Sequence, residues 1–98
     1  MNTNTTRSPA SPIVATIIDP TGTVVEATPA HANGKWAFSD FQSLVGGYVE
    51  VVNLSKGKVA LVNEEGLLIG LPPNPAASAV LGIPVVGTVV IVPAKAIR

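Results

Sequence analysis

The sequence contains no cysteine, and this absence excludes several kinds of site at once. None of its 98 residues is a cysteine, so disulfide bonds, thiolate zinc sites and cysteine nucleophiles are ruled out. The sequence also lacks an apolar run long enough to cross a membrane, and its N-terminus lacks a basic segment followed by an apolar one. We therefore expect a cytoplasmic protein without a membrane partner.

Charged residues are also few. Asp, Glu, Lys and Arg make up 12% of the residues, whereas hydrophobic residues make up 47%. Ordinary soluble domains carry about 25% charged residues. Either an oligomer buries part of the apolar surface, or Thr, Ser, Asn and Ala cover it. We favour the homo-oligomer, because large exposed apolar surfaces are uncommon on monomers.

The positions of the charges argue against a nucleic-acid partner. Three of the six basic residues, Arg7, Lys95 and Arg98, lie near the ends, while all six acidic residues lie inside. If the ends are mobile, three positive and six negative charges remain on the body, a net charge of minus three. Binding to a phosphate backbone needs a basic face, so we expect none.

The length fits one domain. Residues 1–12 are polar, contain two prolines and predict a flexible tail, because they offer too little apolar surface to offset the entropy of ordering. The alternative is an arm that docks on a neighbouring subunit. We place the domain at residues 13–93 and a second tail at residues 94–98.

A β-hairpin is the first predicted element. The β-branched run Ile13–Ile18 and the run Thr23–Thr28 are typical of strands. Between them, Asp19, Pro20 and Gly22 supply the side-chain acceptor, the fixed φ and the left-handed residue that a tight turn requires.

Two short helices follow from capping patterns. Ser39 and Gln42 have the spacing of a capping box, which predicts a helix over Asp40–Val45. Asn74 followed by proline predicts a second helix over Pro75–Leu81. A glycine directly follows each segment and can end the helix in the left-handed conformation.

The segment Leu44–Asn74 predicts a three-stranded antiparallel meander, with strands over residues 48–54, 58–62 and 67–71. The last strand, residues 85–92, is apolar on both faces and is therefore expected to be central or buried in an interface. The element order is ββαβββαβ. We predict an α+β fold: a mainly antiparallel sheet, either open or barrel-like, with two short helices.

Few residues offer chemistry. The adjacent Glu64 and Glu65 lie in a predicted turn, and we expect both side chains to point into water. A pocket lined by Asn63 and Glu64 is a less favoured alternative. Catalysis by the carboxylate pair is the least favoured. His31, the one histidine, has no partners at metal-ligand spacing and is interpreted as a loop residue rather than a base or ligand. We expect no enzyme, no metal and no cofactor.

Two further groups admit a binding role. Tyr48 and Glu50 share a strand face, either as an exposed polar feature or as a pair in which Tyr48 stacks on a ligand and Glu50 accepts a hydrogen bond. Trp36, Phe38 and Phe41 are interpreted as core rather than as a platform for a nucleobase, because few other large side chains can fill the centre.

Three segments carry a family resemblance: LVGGYVEVV at residues 44–52, VNEEGLLIGLPPN at 62–74 and GTVVIV at 87–92. They resemble an uncharacterised family of small proteins from bacteriophages, plasmids and bacterial genomes with mobile elements. The resemblance implies such an origin and a compact α+β domain, without an activity. Its recurrent polar positions correspond to Tyr48, Glu50, Asn63, Glu64, Glu65 and Asn74. Our candidate ligand-binding residues are Tyr48, Glu50, Asn63, Glu64 and Asn74.

Two hypotheses of function follow. In the first, a non-enzymatic phage or mobile-element accessory protein forms a homo-oligomer and sequesters a small host ligand at a subunit interface, in the manner of a counter-defence protein. A nucleotide signal is suggested as the ligand only by the implied viral setting. In the second, the protein is an inhibitor or adaptor that presents a sheet edge or the Trp36–Phe41 face to a host protein.

Overall fold

A five-stranded antiparallel sheet forms the centre of the computed structural model, which describes residues 12–98. The spatial order is β2-β1-β5-β4-β3, so β2 and β3 are the two edges and the sheet is not closed into a barrel. The predicted α+β class is therefore confirmed, and the barrel-like alternative is excluded. The predicted N-terminal tail lies outside the described residues except for Pro12. The strands are β1 Ala15–Ile18, β2 Val24–Ala27, β3 Val49–Asn53, β4 Lys58–Asn63 and β5 Val89–Pro93.

One helix packs on each face of the sheet: α1, Phe38–Val45, and α2, Pro75–Leu81. Successive strand residues point to opposite faces, and the core divides accordingly. In β4, Leu61 belongs to the buried cluster that contains Phe41 of α1, whereas its neighbour Ala60 belongs to the cluster that contains Ala77 of α2. The sheet is thus the middle layer of three.

The predicted hairpin is confirmed as β1 and β2. The Gly22 N–H donates to the Asp19 carbonyl at 3.0 Å, and the Asp19 carboxylate accepts from the backbone N–H groups of Thr21 and Thr23 at 2.9 and 3.1 Å. Gly22 has a φ of +90°. Asp19 therefore organises the turn, as the sequence indicates.

The first helix begins two residues before its predicted start, and the predicted Ser39 capping box is wrong. The N-cap is Ala37, whose backbone N–H donates to the Asp40 carboxylate at 2.8 Å. Asp40 thus supplies the acidic half of a capping box, while the methyl side chain of Ala37 has no acceptor to return the bond. Gly46, with a φ of +81°, ends the helix as predicted.

Helix α2 has its predicted bounds, its Asn74 cap and a left-handed glycine, Gly82, at its end. Strand β5 is the central strand of the sheet, which is the first of the two alternatives that its apolar faces indicate. It begins at Val89 rather than Val85, because the preceding residues form only an isolated bridge, Pro73 with Val86, before Gly87 turns at a φ of +74°.

The third strand of the predicted meander is wrong. Residues 64–70 form consecutive turns, so the described element order is ββαββαβ. The segment satisfies its backbone groups locally: the N–H of Ile69 donates to the Glu65 carbonyl at 3.0 Å and the N–H of Leu71 to the Gly66 carbonyl at 2.9 Å. Backbone groups that are paired within a turn are not available to a strand ladder. We call residues 64–71 the dileucine loop.

The C-terminal residues assigned to a tail adopt local structure. Ala94–Ile97 form a 3-10 helix, and the N–H of Ala94 donates to the Gly57 carbonyl at 2.8 Å. Ala96 and Ile97 pack against the cluster around Phe41. The end of β5 is therefore continued by residues that help to cover the α1 face.

Candidate functional site

An apolar groove of about 500 Å³ lies on the α2 face of the sheet. Its more buried lining comes from Val52 of β3, Val62 of β4 and Val85, which also belong to the α2 cluster. Leu67 and Leu68 of the dileucine loop line it as well. The groove is thus formed by the sheet, the dileucine loop and the segment that follows α2.

The dileucine loop is fixed in place at its start. The Glu65 N–H donates to the side-chain oxygen of Asn63 at 2.8 Å, and the Gly66 N–H donates to the Asn63 carbonyl at 3.1 Å. Gly66 is buried, and a Cβ atom there would lie 2.7 Å from Cγ2 of Val86. This loop holds Leu67 and Leu68 in water, with 83% and 86% of each residue exposed.

The charge of the groove is negative. The exposed residues Glu50 and Glu64 line it, and none of its lining residues is a Lys, Arg or His. Apolar surface beside carboxylates suits a ligand with an apolar body and a positive group. Such a surface repels the phosphates of a nucleotide.

Three of the five candidate ligand residues, Glu50, Asn63 and Glu64, meet at this groove. Tyr48 does not line it, although the Tyr48 carbonyl accepts from the Glu64 N–H at 2.8 Å and the residue is 65% exposed. Asn74 lies elsewhere, under the start of α2. The structure therefore brings together Glu50 of β3 and the two residues at the end of β4, but not Asn74, the cap of α2.

The side-chain amide of Asn74 stabilises the fold. Asn74 is fully buried, and its Nδ2 donates to the carbonyls of Ile18 and Gly87 at 3.0 and 2.8 Å while its Oδ1 accepts from the Ala77 N–H at 3.0 Å. Both polar atoms of that side chain are thus engaged within the chain. A structural role accounts for this residue.

A hydrogen-bonded pair that the sequence analysis missed joins His31 to the start of α1. The His31 Nε2 atom lies 3.0 and 2.9 Å from the two Asp40 carboxylate oxygens. The pKa of Asp40 is lowered, chiefly by the hydrogen bond from the Ala37 N–H and further by the bond and charge of His31, while partial burial opposes the shift. The signal in the sequence was a histidine near a helix whose first turn is acidic.

The aromatic cluster is core, as predicted, except at one side chain. The rings of Trp36 and Phe41 stack with centroids 5.2 Å apart, and the Trp36 indole N–H donates to the Ile13 carbonyl at 2.7 Å. Phe38 packs edge-on against Phe41 but remains 47% exposed. The cluster anchors α1 to the start of β1.

A second cavity of about 580 Å³ lies at the other end of the α2 face. Leu54, Val80 and Leu81 supply part of its lining, and Lys56 and Lys58 supply positive charge. An anionic ligand in this cavity would meet basic side chains. None of the five candidate residues lines it.

Residues 12–98 offer no group of three or more acidic or histidine side chains that could hold a metal ion. Over the same residues, no helix combines the length and the apolar character needed to cross a membrane.

Comparison with known proteins gives a family without an activity. The model of the domain of unknown function DUF3846 matches residues 13–96. No curated protein and no solved structure matches the chain.

Proposed function

This chain belongs to the DUF3846 family, a domain of unknown function, and we propose that it is a non-enzymatic binding protein whose binding site is the apolar groove. The observation that carries the proposal is the exposure of Leu67 and Leu68 on a loop held by its own hydrogen bonds. Burying one leucine side chain stabilises a protein by about 1.5–3 kcal/mol. Leu67 and Leu68 both lack this stabilisation in the free protein. A partner that buried them beside the apolar groove would gain it as binding free energy.

The negative charge at the groove favours a partner protein over an anionic metabolite. Glu50 and Glu64 would attract a basic residue that flanks an apolar anchor, and apolar anchors in pockets dominate binding free energies at protein interfaces. The proposal is therefore an inhibitor or adaptor that acts on a host protein in the cytoplasm. Its phage or mobile-element setting rests on the three sequence segments that resemble such proteins.

The second candidate is capture of a small host ligand by an oligomer. It is supported by the cavity that contains Lys56 and Lys58, which has the volume and charge that a nucleotide requires. In this alternative, the groove and its leucines would serve contact between copies of the chain.

Native mass spectrometry separates the two candidates. The protein is expressed in a bacterial host and purified without denaturation, as wild type, as Leu67→Ser/Leu68→Ser and as Lys56→Ala/Lys58→Ala. We expect a bound protein, carried by wild type and by the lysine variant, to be absent from the serine variant. Val24→Ser, at a residue 56% exposed on β2 that lines neither the groove nor the second cavity, is the matched control for surface polarity and should retain the bound protein.

Other results would redirect or overturn the proposal. A small added mass lost only from the lysine variant would favour the small-ligand alternative. An oligomer dissociated by the serine changes would assign the groove to contact between subunits. An empty monomer in every sample would contradict both candidates.

A further inference from the structure

We propose that the partner of the groove binds as an extended segment that adds a sixth strand to the free edge of β3. The inference rests on the proposed function, because it takes the groove as the binding site and states how the partner enters it. Three observations carry it: the backbone groups along β3, the residues that β3 lacks, and the side chains that β3 gives to the groove.

The outward backbone groups follow from the β3–β4 register. The Glu64 N–H donates to the Tyr48 carbonyl at 2.8 Å, and the Leu54 N–H donates to the Lys58 carbonyl at 2.9 Å. In an antiparallel pair the residues alternate between facing the partner strand and facing away. Even-numbered residues of β3 therefore bond to β4, and the N–H and C=O groups of Val49, Val51 and Asn53 face outward.

This edge has few of the features that proteins use to block strand addition. Edge strands are ordinarily protected by proline, charged side chains (lysine above all), a bulge or shortness, and Glu50 is the one charged residue of β3. The five residues of β3 include no proline and no lysine, and they pair with β4 without a break from Val49 with Asn63 to Asn53 with Val59. The opposite edge, β2, is shorter, with four residues. An added strand would gain most on β3.

The side chains of β3 select the partner. Glu50 and Val52 line the groove, and Val51 lies on the other face with 41% of the residue exposed. Residues directly opposite one another on neighbouring strands interact across the pair. The added strand is therefore expected to place a lysine or arginine opposite Glu50 and, two residues away on the same face, an apolar residue opposite Val52.

A second copy of the chain fits this edge less well. Two β3 strands paired around Val51 would place the Glu50 carboxylates of both copies on one face at diagonal positions, beside Glu64 of each groove. Like charges placed this close weaken strand pairing. A segment that carries a basic residue replaces this repulsion with attraction.

The test is selection from a displayed library of random twelve-residue peptides with the whole protein as target. We expect enriched sequences that alternate apolar residues with one lysine or arginine. Their affinity should fall by about tenfold in Val51→Pro, which removes an outward N–H that no described strand uses. Val51→Ala keeps that N–H and loses only side-chain contacts with the added strand, so its affinity should fall clearly less than that of Val51→Pro.

Methylated peptides keep the inference falsifiable if Val51→Pro does not fold. The best peptide is synthesised with N-methyl groups on alternate residues, in both registers. In the bound peptide, alternate N–H groups would face β3 and the others would face away from it. Methylating the first set should abolish binding, and methylating the second set should retain it. Equal effects of both registers would overturn the strand-addition inference.

The failures are distinguishable. Peptides that lose affinity in Leu68→Ser but bind Val51→Pro normally would overturn strand addition and leave the groove as the site. No enriched peptide would contradict both. A wild-type dimer that Val51→Pro converts to a monomer, measured by sedimentation, would make a second copy the occupant and overturn the assignment to a foreign segment.

Discussion

The side-chain amide of Asn63 donates a hydrogen bond to the backbone carbonyl of Val45 at 3.1 Å. It links the last residue of β4 to the end of α1. The same side chain accepts from the Glu65 N–H at 2.8 Å, so one buried asparagine also fixes the start of the dileucine loop. The position of the groove therefore depends on where α1 ends.

Replacing Asn63 by alanine should destabilise the fold and loosen the groove. The change leaves the Val45 carbonyl and the Glu65 N–H without their partner, and a buried polar group left unpaired costs about 1–3 kcal/mol. Urea unfolding should show a loss in this range. Asn53→Ala, at an exposed asparagine of β3, is the control and should remain within about 0.5 kcal/mol of wild type. A wild-type midpoint for Asn63→Ala would refute this role.

Replacing Asn74 separates helix capping from the bonds beneath α2. Asn74→Ala removes three hydrogen bonds and should cost about 3 kcal/mol or more in the free energy of unfolding. Asn74→Ser keeps an acceptor for the Ala77 N–H and should recover about 1 kcal/mol. Thermal and urea unfolding of both variants measure the difference. Equal stability of the serine and alanine variants would show that the cap contributes nothing.

Gly87 is required for two reasons that a matched glycine separates. Its φ is +74°, and a Cβ atom would lie 2.7 Å from Cδ1 of Leu71. Gly34 has a φ of +71° and open space around the same position. Gly34→Ala should cost about 1 kcal/mol from the backbone alone, and Gly87→Ala should cost clearly more. Indistinguishable unfolding free energies would mean that Leu71 moves aside without penalty.

Asp40 should make the fold sensitive to acid. Its pKa is lowered in the folded state, chiefly by the Ala37 N–H, so the stability it contributes is complete above the unfolded-state pKa near 3.8. That contribution is lost as the pH falls through the lower, folded-state pKa. Asp40→Asn retains an acceptor for the cap but cannot titrate.

The free energy of unfolding of Asp40→Asn should therefore fall less steeply than that of wild type below about pH 4. Asp19, whose pKa is lowered by its bond from the Thr21 hydroxyl, keeps part of the slope in both proteins. In His31→Gln, an NMR titration of the Asp40 carboxyl should give a higher midpoint than in wild type. Identical midpoints would exclude His31 as a cause.

Local chemistry made part of the fold predictable. The turn at Asp19 and the cap at Asn74 are predicted from neighbouring residues. The two apolar faces of residues 85–92 predict a strand that is either central or buried in an interface, and the structure has β5 at the centre of the sheet. The cap of α1 was mispredicted. Ser39 was expected to be the N-cap, but the helix begins at Phe38, and the Asp40 carboxylate accepts a hydrogen bond from the Ala37 N–H. Which residue becomes the N-cap depends on the direction in which the chain approaches the helix.

The dileucine loop was mispredicted for a reason that bears on the site. Leu67, Leu68 and Ile69 give the apolar pattern of a buried strand, but all three are exposed. Periodicity reports that a segment is apolar and not what it contacts. The sequence could indicate three of the groove residues, Asn63, Glu64 and Glu50. It could not place Leu67 and Leu68 beside them, because their position depends on how the loop folds around Gly66.

The order of the strands also constrains synthesis. Strands β1 and β2 form one hairpin and β3 and β4 another, and the two are joined only when β5 inserts between β1 and β4. On a ribosome, each hairpin can emerge early, but the sheet has no centre until residues 89–93 have left the exit tunnel. Pairings this distant in the chain slow folding. The nascent chain should therefore remain sensitive to protease until translation has passed β5.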